Sequence, residues 1–298
     1  MVAMAARSAD PPAAACPACG DGHARATPTA FADPLLLCAA CGHRWIVDPA
    51  GREPPSGFYD DLHEKGLINP LPDDVRRDFL DERLRLIEEW RRPGTLLDVG
   101  CGDGAFLARA EARGWTTVGL ETSAEAAARA RAAVRGQVLG MPLEQAALAS
   151  GFDAVTFWDC LEHLVDPADA LRRVAARTRA GGVIAITMPS AAGAESRLWG
   201  RRWPYLELGR YGHLHHFTPR SLRRLVERAA GASRIEVRTY GSVDLRYVPA
   251  LAPIARAPGG AWGLDKASGL LARAAVPLGL GSTLLMRAQL PPGRAAGS

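Results

Sequence analysis

Lysine is almost missing from this chain: of 36 basic residues only Lys65 and Lys266 are lysines, and the formal net charge is no more than +4. Arginine pairs such as Arg76-Arg77, Arg91-Arg92, Arg172-Arg173 and Arg223-Arg224 are interleaved with acids or lie in helical stretches. They read as solvated helix faces, because a nucleic-acid footprint needs basic side chains clustered on one surface. Residues 1–15 lack the charged segment followed by an apolar one that marks a secretion signal. No apolar run makes a clean span of ~20 residues; the nearest, Leu270 to Met286, is broken by Arg273 and Pro277. These absences predict a cytoplasmic protein with no transmembrane segment. In a reducing compartment its six cysteines are ligands or buried thiols rather than disulfides. No internal repeat is present, which excludes a solenoid.

What remains is an ordinary globular composition, 48% hydrophobic and 23% charged over 298 residues, long enough for one large domain with a small appendage. The expected organisation is an Ala/Pro-rich disordered tail at 1–15, a cysteine module at 16–50, and a linker with a helical lid at 51–92. A main domain at 93–290 follows, with insertions at 190–217 and 241–282, and then a tail at 291–298.

Cys16-Pro-Ala-Cys19-Gly and Cys38-Ala-Ala-Cys41-Gly form two Cys-x-x-Cys pairs separated by eighteen residues. Two thiolates in one tight turn approach one side of a tetrahedral ion, and the glycine after each pair permits the left-handed backbone such a turn wants. The spacing falls in the zinc-ribbon range. Four thiolates leave no open coordination position, so the zinc is read as structural, the staple of a segment too poor in apolar residues to fold alone. His23 and His43 are expected to stand by at the module surface.

From Asp73 a helical stripe runs through Val75, Phe79, Ile87 and Trp90 to Pro93-Gly94. Strands and helices then alternate. Strands are predicted at Thr95–Val99, Trp115–Leu120, Gln137–Leu139, Phe152–Trp158 and Val183–Met188. Helices are predicted at Ala105–Arg113, Ser123–Val134 and Pro167–Arg179. This alternation implies a parallel sheet covered on both faces. Thr218-Pro219 supplies an N-cap and first-turn proline for a helix with Leu222, Leu225 and Val226 on its apolar face, ended by Gly231. Ile235–Tyr240 and Thr283–Leu290 are the closing strands.

Leu96-Leu-Asp98-Val-Gly100-Cys-Gly102-Asp-Gly104 ends the first of these strands and opens a helix. The glycines let a cofactor approach the backbone, and the acids say which one. A pyrophosphate would be repelled by Asp98 and Asp103, whereas S-adenosylmethionine brings a sulfonium and an ammonium that carboxylates favour. Glu121, about twenty residues on at the end of the next strand, is placed to accept ribose hydroxyls.

With these motifs the chain from Phe58 to Leu290 resembles the class I S-adenosylmethionine-dependent methyltransferases. Asp153-Ala-Val-Thr-Phe-Trp-Asp-Cys-Leu-Glu-His163, Asp166-Pro167, Gly181-Gly182, Met188-Pro189 and His215-His-Phe-Thr-Pro219 complete the resemblance. It is similar to the bacterial small-molecule branch that includes ubiquinone-type O-methyltransferases, while the N-terminal cysteine module resembles that of deoxysugar C-methyltransferases. The resemblance implies an α/β, Rossmann-like fold with a seven-stranded, mostly parallel sheet whose last strand is antiparallel, plus a small zinc ribbon. By position it implies that Asp98, Gly100 and Gly102 hold the methionine part of the cofactor and Glu121 its ribose. Met141, Leu143, Trp158 and Asp159 would flank adenine and sulfonium. Gly140 stands where many relatives carry an acid before the adenine turn.

Methyl transfer is an in-line displacement, so side chains have mainly to align the reactants and remove the acceptor's proton. His163, just after the fourth main-domain strand, and His216, just before the next helix, are the expected catalytic pair, with Tyr59 and Tyr211 as weaker candidates. Asp159-x-x-Glu162-His163 with His216 also resembles the magnesium seat of certain O-methyltransferases, in which glutamate replaces the shorter Asp159. The expected function is methylation of a small-molecule hydroxyl or sugar carbon in natural-product or cell-envelope metabolism. A zinc-ribbon RNA or nucleobase methyltransferase is one alternative, disfavoured because Asp159-Cys-Leu-Glu162 replaces the Asn-Pro-Pro-Tyr type of tetrad. A non-catalytic cofactor-binding adaptor is another.

Overall fold

In the computed structural model, residues 15–52, 57–58, 60–61, 73–241, 253–254, 257 and 260–292 are described. The expectations for residues 1–14, Pro54-Pro55, Tyr59 and most of 242–259 lie outside them. Among the described residues no helix is long and apolar enough to cross a membrane.

The larger sheet has seven strands, β4 (Thr95–Val99), β5 (Thr116–Leu120), β6 (Gln137–Leu139), β7 (Phe152–Trp158), β8 (Thr178–Pro189), β10 (Arg234–Tyr240) and β11 (Thr283–Gln289). Their order is β10-β11-β8-β7-β4-β5-β6. The five strands from β8 to β6 are parallel, and β11 runs antiparallel to both its neighbours, as expected of this fold. All seven side chains of β7 are buried, the mark of a central strand covered on both faces.

Alternation along β4 distributes the two faces: Leu96 joins a cluster with Leu80, Leu84 and Ile87 of helix α1 (Asp73–Glu88), Phe106 and Leu107 of α2 (Ala105–Ala112), and Ala127 and Ala130 of α3 (Ala124–Ala133). Leu97 and Val99 face the opposite cluster, with Leu171 and Val174 of α4 (Pro167–Ala175). Beyond two short helices, α5 (Ala194–Trp199) and α6 (Leu208–Tyr211), α7 (Pro219–Ala230) adds Leu222, Leu225 and Val226 to that second face. Its Thr218–Ser221 capping box and the left-handed Gly231 fall where the sequence puts them. A last helix, α8 (Gly260–Ala275), precedes β11.

The largest difference from the expected bounds lies between Ala175 and Val183. The helix expected through Arg179 stops at Ala175, and β8 starts at Thr178, because Thr178 already pairs with Phe152 before a register irregularity around Gly181-Gly182. Pairing with the central strand outweighs the helical pattern of the arginines there.

The second sheet belongs to the cysteine module. Its strands β1 (Ala24–Thr27), β2 (Leu35–Cys38) and β3 (Arg44–Ile46) form an antiparallel meander, and β9 (His215–His216), from the 190–217 insertion, pairs on β3 as the fourth strand. Leu35 and Ile46 of the module share a buried cluster with Trp203, Leu206 and Leu214 of the insertion. His43 is therefore no surface bystander. It is fully buried and stacked on Trp45, with His215 and Phe217 packed against it, because the insertion covers it. His23 stays exposed.

Candidate active site

The chain leaves β4 toward β5 and later returns to β7 on the other side, so the connections diverge at the carboxyl ends of these two neighbours and open a crevice. A cavity of about 890 Å³ fills it.

The glycine loop forms its floor. Gly100, Gly102 and Gly104 have φ of 76°, 56° and 80°, the left-handed region that side chains avoid. A Cβ on Gly100 would also lie 2.7 Å from Cys160 Sγ. The loop is pinned by Gly100 and Cys101, whose N–H groups donate to the Leu120 carbonyl at 2.8 and 2.9 Å.

Two carboxylates border this floor. Glu121 accepts Gly102 N–H on Oε2 and Ser123 N–H on Oε1, both at 2.8 Å, and each oxygen keeps a further lone pair toward the cavity it lines. Asp98 is buried and accepts a 2.6 Å hydrogen bond from Thr156 Oγ1. Burial pushes its carboxyl up to about 7, against the Thr156 hydrogen bond and Arg83, which pull it down. A buried acid held near neutrality in this way is poised to ionise when a cation arrives. Met141, Leu143, Trp158 and Asp159 also line the cavity.

Its roof is α1, whose Arg76-Arg77 pair the sequence pattern assigned to a solvated face. Arg76 instead forms a 2.7 Å ion pair with Asp103 of the glycine loop. Arg83, one face repeat later, is buried, lies over the rings of Phe79 and Trp158 at 4.1 and 4.7 Å, and donates to Asp159 Oδ2 at 2.8 Å. The spacing Arg76, Phe79, Leu80, Arg83 on one helix face was the available signal. Asp159 has φ of 52°, a non-glycine residue in the left-handed region at the very end of β7. Its carboxylate also accepts from Thr187 Oγ1 at 3.1 Å.

His163 and His213 also line the cavity, rings 4.7 Å apart, with Tyr205 stacked behind His213 at 5.4 Å. His163 Nδ1 lies 3.0 Å from the Gly212 carbonyl, which only accepts, so Nδ1 donates there, and the ring also lies within hydrogen-bonding reach of the Asp159 backbone. Burial lowers the pKa of both imidazoles, keeping them neutral.

His216 is not the partner expected for His163. Alternation in β9 turns it away, buried against Trp203 at 6.0 Å and outside the residues that line the cavity, so His213 takes the place facing His163. Nor does the expected magnesium set assemble. Asp159 is occupied by Arg83 and Thr187, and His216 lies outside the cavity lining. The donor atoms that do converge, within 4.8 Å of one another, are those of Glu162, His163 and His213.

In the cysteine module, Cys16 Sγ and Cys41 Sγ are 3.7 Å apart and Cys19 Sγ and Cys38 Sγ 3.6 Å, with all four sulfurs within 4.8 Å. A tetrahedron of ~2.3 Å Zn–S bonds has edges of ~3.8 Å, so the four thiols fit that ion.

Residues 73–232, more than half of the chain, match the family model described as a methyltransferase domain. A ubiquinone biosynthesis O-methyltransferase of Nitrosomonas europaea is 31% identical over 51% of this chain and 60% of its own length. The chain thus spans less than two thirds of that relative. A SAM-dependent methyltransferase of Thermotoga maritima superposes with a TM-score of 0.53 at 16% identity, covering 78% of this chain and 95% of the other. The plantazolicin methyltransferase BpumL, solved with SAH, gives 0.54 at 14% identity over 79% and 93%. At such identities the superpositions speak to the fold.

Proposed function

Since this chain belongs to the methyltransferase-domain family, as a class I S-adenosylmethionine-dependent enzyme, we propose that it methylates a hydroxyl group of a small molecule. The observation that carries this reading is the cavity at the β4/β7 crevice, lined both by Asp98 and Glu121 and by two neutral imidazoles, His163 and His213. The name of the Nitrosomonas relative points the same way.

When bound, the cofactor supplies a methyl group activated by a sulfonium charge. In this reading Asp98, with the open backbone at Gly100 and Gly102, receives its methionine part and Glu121 its ribose hydroxyls. Met141, Leu143, Trp158 and Asp159 enclose adenine and the sulfur. His163 removes the acceptor's proton, with His213 across from it orienting the hydroxyl. A positioned base of this kind contributes typically ~10²–10⁴-fold. The four cysteines bind one structural zinc, and the six unpaired thiols suit a cytoplasmic enzyme. The acid-rich cavity, with Glu144 and Asp166 also at its rim, suits a small acceptor better than a nucleic acid.

The test pairs calorimetry with methyl transfer from labelled cofactor to a panel of catechols, phenols and sugars. Micromolar cofactor binding with label in a hydroxyl product is expected. His163→Ala should lower turnover by ~10²–10⁴-fold while leaving cofactor affinity within about twofold. Failure of the intact protein to bind the cofactor would overturn the reading, and label found in RNA alone would replace the acceptor class.

A further inference from the structure

The short strand β9, with Leu214 just before it, lies between the cysteine module and the segment after β7 that carries His163, and two lines of hydrogen bonds run through 214–215 from one to the other. Along the backbone, Ile46 N–H of β3 donates to the Leu214 carbonyl at 2.9 Å, and Leu214 N–H donates to the Glu162 carbonyl at 3.0 Å. Along side chains, His43 Nε2 lies 3.2 Å from His215 Nδ1, and His215 Nε2 lies 3.3 Å from the Val165 carbonyl.

The second line has only one consistent protonation. A carbonyl cannot donate, so His215 carries its proton on Nε2 and its Nδ1 must accept. His43 Nε2 is therefore the donor. His43 Nδ1 is buried with no hydrogen-bond partner among the described residues, and the bond to His215 adds to the packing of Trp45 and Phe217 in holding the ring. His43 stands two residues beyond Cys41, and Thr218 Oγ1 donates to the Cys41 carbonyl at 2.8 Å, tying the same turn to the start of α7. His213 and His163 occupy the two segments that this lattice holds together, and His163 itself reaches back to Gly212.

We propose that His43 is a positioning residue for the active-site histidines: its hydrogen bond to His215 locks segment 212–216 against segment 161–166 and so sets how His163 and His213 face the cavity. The proposal rests on the reading that these two histidines face the acceptor. It makes the cysteine module a support behind the segment that carries these histidines rather than an appendage.

Packing and hydrogen bonding are separable here by two substitutions. His43→Phe keeps a ring against Trp45 and Phe217 but leaves His215 Nδ1 without its donor. His43→Gln keeps an N–H at a similar reach. Amide exchange and ring-nitrogen NMR are read on the full chain, with cofactor affinity and metal content as controls. In His43→Phe, exchange at Leu214 and across 161–166 should accelerate at least tenfold, and the ring signals of His163 and His213 should shift. Exchange at Gly100–Asp103 and cofactor affinity should stay within twofold. His43→Gln should reverse most of these changes.

Equal behaviour of the Phe and Gln variants would reduce His43 to packing and overturn the proposal. If His43→Phe does not fold, His215→Phe removes the same bond from its other end, and undisturbed 161–166 signals there would overturn it equally. The unmodified protein provides a third check, since a His215 ring protonated on Nδ1 contradicts the proposed direction of the bond. Absence of cofactor binding in the unmodified protein would sink the methyltransferase reading instead, leaving these exchange results standing.

Discussion

Asp98 shows how one buried side chain links stability to binding. With its carboxyl raised to about 7 in the fold, against ~3.9 in an unfolded chain, the folded protein holds this proton across the interval between them. The unfolded chain releases it first, so the group's contribution to stability is complete below pH ~4, declines as the pH rises, and is lost above about 7. Asp98→Asn should therefore flatten the fall in melting temperature of the cofactor-free protein between pH 5 and 7. A cationic ligand favours the ionised form, so cofactor affinity should increase over the same range and binding near pH 6 should release a proton. Calorimetry in buffers of different ionisation enthalpy measures that release. Asp98→Asn should abolish it and weaken binding ten- to a hundred-fold, about 1.5–3 kcal/mol for a charge-assisted hydrogen bond.

Among elements, the glycine loop and helix α1 make opposite demands on sequence. The loop needs an absence: Gly100→Ala places a Cβ against Cys160 Sγ at a left-handed φ, so it should cost ~1–3 kcal/mol in chemical unfolding and reduce cofactor affinity sharply. Trimming Cys160 to alanine in the same chain should restore only part of this, because Cys160 Cβ also stands 3.1 Å from the new atom. Helix α1 needs a presence. Arg83 combines two ring contacts with the ion pair to Asp159, whose own side chain is half exposed and so partly screened. Arg83→Ala should thus destabilise the lid by about 1–2 kcal/mol, chiefly through lost stacking. Arg83→Lys should keep the charge and lose the planar stack, and Trp158 fluorescence should report the difference.

At the scale of the whole molecule the two sheets share a boundary that runs through the insertion. Chelation or Cys38→Ser should therefore be felt beyond residues 16–50. We expect one zinc per chain by elemental analysis, and its removal should unfold the module and raise exchange in β9 and at the start of α7 while leaving β4 to β6 protected. Structural zinc sites contribute folding free energy outright, so the melting transition should also split or fall. A metal-free protein with unchanged exchange in β9 would show that the sheet is held by packing alone.

Local chemistry was enough to read the large sheet from sequence. The bounds of Gln137–Leu139 and Phe152–Trp158, the cap at Thr218 and the stop at Gly231 all follow from hydrophobic period, cap residues and turn glycines, which act over a few residues. The glycine loop and the two cysteine pairs were legible for the same reason: their function requires fixed spacing along the chain. What neighbours do across the fold was not legible. Whether Arg76 and Arg83 meet water or the cavity depends on where α1 docks, and whether His213 or His216 faces His163 depends on the register of β9 against β3, where one residue reverses a side chain. His43 looked like a surface residue because its cover, the 213–217 segment, lies some 170 positions away. Distant pairing of strands with so little local pattern is decided by the burial that both partners gain together, and only the tertiary structure contains that sum.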